Sequence, residues 1–92
     1  MSRALLEVDF TSATESDTIA LTGLFNVSID YATGSGVGTV ELQRSFDNGA
    51  TWHTTDTFTT DTETNGEAAS DLLWQLDCTA YTSGTIACIL EQ

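Results

Sequence analysis

The sequence predicts an all-β domain, an antiparallel β-sandwich or small barrel of about seven to eight short strands. Three observations carry this. Apolar and polar residues alternate with a period of two along almost all of the 92 residues, and no stretch repeats at the helical period. Thr, a β-branched residue that suits strands and is at best neutral in helices, fills 17 positions. Turn-forming Gly, Asn, Asp and Ser interrupt the alternation at intervals of about 8–12 residues.

The elements follow in order. Leu6, Val8 and Phe10 alternate with Glu7, Asp9 and Thr11. Ile19 and Leu21 form a second run, separated by Thr22-Gly23 from a third, Phe25, Val27, Ile29 and Tyr31. Thr33-Gly34-Ser35-Gly36 ends that run, and Gly34-Ser35-Gly36-Val37-Gly38 reads as a flexible hairpin tip; with no helix after it, it is no phosphate-cradling loop. Val40 and Leu42 alternate with Glu41 and Gln43, ended by Asp47-Asn48-Gly49. The Thr-rich stretch 54–64 puts Thr55, Thr57 and Thr59 on one face and stops at Asn65-Gly66. Residues 67–72 hold at most a helical turn. Leu72, Trp74, Leu76 and Cys78 then alternate with Gln75, Asp77 and Thr79, and Ile86, Cys88 and Leu90 follow Ser83-Gly84. Each run reads as a strand with one buried face, and the whole, 1–92, as a single domain.

The last two runs predict a hairpin. Their core-facing positions are all even-numbered, so antiparallel partners must sum to an even number. A three-residue loop, Thr82-Ser83-Gly84, satisfies that parity with Gly84 left-handed. It pairs Tyr81 with Thr85 and sets Cys78 directly opposite Cys88. The pair reads as two reduced core thiols, with a cross-strand disulfide as the alternative after release to an oxidising exterior. Two Cys and one distant His make no zinc site.

Composition narrows the function. Fourteen Asp and Glu face two Arg, Arg3 and Arg44, and no Lys, for a net charge of −12. Such a chain neutralises no run of phosphates and carries no polybasic membrane patch, so neither nucleic acid nor membrane is an expected partner. No apolar stretch approaches a membrane span, and Glu7 and Asp9 interrupt any signal-peptide core, so synthesis without export is expected. At 40% hydrophobic residues the chain is not expected to be disordered.

Catalysis finds no signature. His53 is the single histidine, and no nucleophile elbow or paired metal-binding His accompanies it. Asp56, Asp61 and Glu63 lack calcium-loop spacing and alternate with Thr as solvated strand-face residues do. The chain is read as a non-enzyme without catalytic residue, cofactor or metal. Arg44 shares a face with Val40 and Leu42, and its guanidinium is expected to stack on Trp52 or meet a carboxylate.

One motif is specific. Ser45-Phe46-Asp47-Asn48-Gly49-Ala50-Thr51-Trp52 matches Ser-x-Asp-x-Gly-x-Thr-Trp at every defining position. Asp47 is suited to accept amides of its own turn, Gly49 to take a positive φ, and Trp52 to anchor the hairpin on the core. The stretch resembles the Asp-box of sialidases and related propellers, a folding element remote from their catalytic centres. That resemblance implies a structural hairpin built on Ser45, Asp47, Gly49, Thr51 and Trp52. Sialidase chemistry itself needs three arginines, one more than the chain has.

The longer strings Val40-Glu41-Leu42-Gln43-Arg44-Ser45-Phe46-Asp47-Asn48-Gly49-Ala50-Thr51-Trp52 and Cys78-Thr79-Ala80-Tyr81-Thr82-Ser83-Gly84-Thr85 resemble small all-β structural proteins of tailed bacteriophages. The resemblance implies a virion component made in the host cytoplasm. Among virion roles the sequence favours a capsid decoration (cement) protein, a symmetric oligomer that binds the major capsid protein or another virion protein and bridges capsomers. A −12 charge keeps such a protein soluble and away from packaged DNA. The alternatives are a tail- or neck-associated domain and a small carbohydrate-binding module. For the latter, Trp52, Trp74, Tyr31 and Tyr81 are the candidate platforms, with Tyr81 the best exposed.

Overall fold

Alternation forces each run to bury one face, and a chain this short can do so only by folding its sheet back on itself. The computed structural model describes residues 4–92 and, at 69–71, the backbone alone. Six strands form: β1 (Leu5–Phe10), β2 (Ile19–Asp30), β3 (Val37–Ser45), β4 (His53–Phe58), β5 (Thr62–Ser83) and β6 (Ile86–Glu91). They lie in the order β1-β6-β2-β5-β3-β4, every neighbouring pair antiparallel. The fold is all-β, a sandwich.

The long strand makes it one. β5 spans 22 residues and serves two partners in succession: Thr62 to Trp74 pair with β2, and Leu73 to Ser83 pair with β3. One arm therefore holds β1, β6, β2 and the first half of β5; the other holds the second half of β5 with β3 and β4. Their inner faces share a single core, including Phe10, Phe25, Ile29, Leu42, Trp74, Leu76, Ile86 and Leu90, each at most 2% exposed. The smallest dimension, 18 Å, suits two layers about 10 Å apart plus outer side chains. Phe25 and Trp74 meet edge to face inside it at 4.8 Å.

Two breaks in the sequence pattern are not turns, and a third turns the chain without making a hairpin. At Thr22-Gly23 the chain continues as one strand through a bulge, where the register against β5 shifts. Asn65-Gly66 lies within β5, with Gly66 directly opposite Phe25, and the backbone from 67 to 72 is strand. The Gly34–Gly38 segment is neither a hairpin tip nor loose: β2 and β3 do not pair. Instead the segment crosses the β5–β6 connection at van der Waals contact, Thr85 N–H donating to Gly34 O at 3.0 Å. A Cβ on Gly36 would stand 2.6 Å from Thr85 O, so a side chain there would push the crossing apart.

The C-terminal hairpin is replaced by an arch. β5 goes to β3, whereas β6 inserts between β1 and β2, so Cys78 pairs with Val40, and Cys88 with Val8 and Ile29. Tyr81 lies opposite Gly38, not Thr85. Face parity holds, since both cysteines are 1% exposed in the one core. Parity fixes which way a side chain points but not which strand lies beside it, and an arch across the sandwich satisfies it as well as a hairpin. Gly84 does adopt the left-handed conformation, with φ of 74°.

The β1–β2 connection continues the edge of β5 that β2 leaves. Ser16 N–H donates to Leu76 O and Cys78 N–H to Thr14 O, both at 2.8 Å, and Leu76 N–H donates to Ser16 Oγ at 2.9 Å.

Candidate functional site

The turn built on Ser45–Trp52 joins β3 to β4. Ser45, 2% exposed at the end of β3, donates its hydroxyl to Asp47 Oδ1 at 2.7 Å and accepts Gly49 N–H at 2.8 Å. Asp47 Oδ1 also accepts Thr51 N–H at 2.8 Å. One carboxylate oxygen thus ties both ends of the turn, and Asn48 and Gly49 take the positive φ values, 60° and 95°, that let it close. The Ser45 hydroxyl and the Thr51 amide hold the Asp47 carboxyl down at about 2. Trp52 is half-buried and lies over the turn beside Gly49, outside the core cluster.

Arg44 stacks on Phe46, not on Trp52: its Cζ lies 5.0 Å from the Phe46 ring centroid. The Phe46 ring, 62% exposed, is also 6.0 Å from the His53 ring. Arg44 and His53 are direct partners across the β3–β4 ladder, so the turn lifts Phe46 above both. Among the described residues, two donors beneath have no acceptor: Arg44 Nε and Trp74 Nε1, on directly opposed residues of β3 and β5.

On the same ladder stands a polar strip. Gln75, 3% exposed, donates its amide to Gln43 Oε1 at 2.8 Å. Gln43 in turn donates to Glu41 Oε1 at 3.1 Å and to Asp77 Oδ2 at 3.3 Å. Glu41 and Asp77 are cross-strand partners, and Glu15 bridges to Asp77 from the other side. Partial burial, with Glu15 and Glu41 nearby, raises the Asp77 carboxyl above its ordinary value. Amide side chains, which donate and accept at once, are what let two strands carry opposed carboxylates here.

The remaining candidates separate. Cys78 and Cys88 are free thiols, and burial, with Cys78 adding to it, pushes Cys88 up to about 12. Asp61 turns its Oδ1 inward to accept the amides of Tyr31 and Ala32, at 2.7 and 3.0 Å. Among the described residues, no three His, Cys, Asp or Glu side chains gather as a metal-holding group. Trp74 and Tyr31 are core residues, and the Tyr31 hydroxyl donates to Phe58 O at 2.6 Å. Tyr81 is half-buried against the core and donates to Gly84 O, so the exposed platform expected of it is absent. Phe46 is the exposed aromatic, and nothing in its alternation marked it, because it sits in the turn.

Several stretches of sheet have a side with no strand partner among the described residues, including β1, β4, the first half of β5, and the first half of β2, which β6 pairs only from Asn26. The acids line the exterior around them; Glu7, Asp9, Asp56, Asp61, Glu63 and Glu67 are all exposed.

Compared with protein-family models, curated proteins and solved structures, the chain finds no match.

Proposed function

We propose that the chain is a non-enzymatic structural protein of a phage virion, a capsid decoration (cement) protein that binds the outer shell and bridges neighbouring capsomers. The reading rests first on the resemblance of its Val40–Trp52 and Cys78–Thr85 strings to virion proteins. The observation that best supports it is the separation of roles in the fold: one core takes most of the large apolar side chains, and the acids form a solvated exterior broken by open strand edges. A surface of that kind acts by docking, and its charge holds it away from DNA until a complementary surface is met. On the shell the protein would recur with the capsid's symmetry, as a closed oligomer or about an axis.

The test is reconstitution on capsids stripped of the protein. Saturable binding in multiples of the shell's symmetry, together with a higher bursting temperature, is expected. Unchanged bursting on addition of the protein would refute the cement role.

A further inference from the structure

These open edges are not equivalent: along the first half of β2 the register shifts at Leu21/Gly23 and the Gln92 side chain bonds the backbone of Thr22 and Leu24. On β4 the ladder against β3 is bulged, Thr55 having no partner between Thr54 and Asp56, and Asp56 stands opposite Leu42. A bulge and a charge set against the apolar side are devices by which sheets refuse a further strand. The first half of β5 sets Thr62 and Thr64 opposite Ile29 and Val27, with Glu63 and Glu67 exposed on either side. Along 62–67 it offers a newcomer chiefly Thr, Asn and Glu.

β1 has neither defence. Its register against β6 runs unbroken from Leu5↔Glu91 to Phe10↔Ile86. Of its inward residues, Phe10 is buried, but Leu6 and Val8 pack on the core and remain half-exposed. The core under this edge is unfinished, and one more strand would cover it. That strand is not β1 of a second copy. Antiparallel pairing that keeps inward residues inward opposes Glu7 to Glu7, or Glu7 to Asp9 twice, in the registers of longest overlap, and like charges directly opposite repel. β4 of a second copy would bring its bulge and Asp56.

We infer that β1 is a docking edge for an extended segment of another protein in which apolar residues alternate with Lys or Arg, the apolar ones lying beside Leu6 and Val8 and the cations beside Glu7 and Asp9. The inference deepens the docking reading above by giving the partner segment its chemistry. Main-chain bonds supply affinity in such strand addition, and the alternating side chains supply specificity.

The probe is a soluble peptide of alternating Val and Lys, with one of alternating Val and Glu as its counterpart. Amide shifts and hydrogen exchange of the whole chain are followed by NMR. The Val/Lys peptide is expected to shift and protect the amides of Leu5–Phe10, and the Val/Glu peptide to leave them unchanged. In Glu7→Lys/Asp9→Lys, altered at two exposed positions, the preference should invert, with the Val/Lys peptide bound about tenfold more weakly. Shifts spread over all exposed acids, shifts centred on β4 or on residues 62–68, or an unaltered preference in the variant would each overturn the inference. Capsid binding separates the two proposals. A charge-reversed variant that still attaches to shells as the wild type does would overturn the edge and keep the cement role. A β1 that takes the peptide in a protein that ignores shells would keep the edge and overturn the cement role.

Discussion

Gly66 stands directly opposite Phe25 in the β2–β5 ladder, and the phenyl ring lies across the glycine where a side chain would otherwise be. A Cβ at Gly66 would fall 2.6 Å from Phe25 Cε2. The residue that looked like a turn is thus the floor on which the largest β2 side chain rests before it meets Trp74.

Gly66→Ala is therefore expected to destabilise the fold by about 1–3 kcal/mol, the usual cost of overpacking a closed core. Chemical denaturation measures it. In a Phe25→Leu background the same substitution should cost much less, and additive effects of the two changes would show that the ring does not need the glycine.

Asp47 gives a pH dependence of known sign. Its folded carboxyl sits at about 2, below its ordinary 3.8, so it stabilises the fold fully above that ordinary value and progressively less as the pH falls towards about 2. Asp47→Asn should melt below the wild type at neutral pH. The two melting curves should converge on acidification, and a gap that persists at the acid end would refute the assignment.

Asp77 works in the opposite direction. Burial and its acidic neighbours raise its carboxyl, so ionisation costs stability above its folded value, and the cost disappears below the ordinary 3.8. Asp77→Asn keeps an oxygen for Gln43 and removes the charge. A higher melting temperature than the wild type at neutral pH is expected, with no difference in acid.

The cysteines should be silent while the protein is folded. Thiolate, not thiol, reacts with disulfide reagents, and both thiols are buried and raised. Native protein should resist a coloured thiol reagent, and both cysteines should label together once denaturant opens the core. Rapid labelling of native Cys88 would contradict the packing described.

Local periodicity made the strands and their inward faces legible: Leu21, Phe25, Val27 and Ile29 all point where the alternation puts them. The turn at 45–51 was legible too, because the Ser45–Asp47, Ser45–Gly49 and Asp47–Thr51 hydrogen bonds all lie within it. What could not be read was which strands meet. Cys88 lies between Val8 and Ile29, residues far apart in sequence, and no local pattern records that neighbourhood. Gly66 and Gly23 show the same limit. A glycine beside a polar residue signals a turn when the partner strand is unknown, and a bulge or an aromatic's seat once it is known. The Arg44–Phe46 stack escaped for a simpler reason, that a turn residue has no face until the turn is built.

The seat of β6 also governs the order in which this protein can come into being. Of strands adjacent in sequence only β3 and β4 lie side by side, and β6 enters the middle of its layer, between β1 and β2. Every other pairing must close a long loop before it gains contacts, so folding is expected to be slow, with the β3–β4 hairpin as the natural seed. Until Ile86–Glu91 has been synthesised, β1 has no place to go and β2 lacks one neighbour. Closure of the core is therefore expected to come late, when β6 joins the sheet.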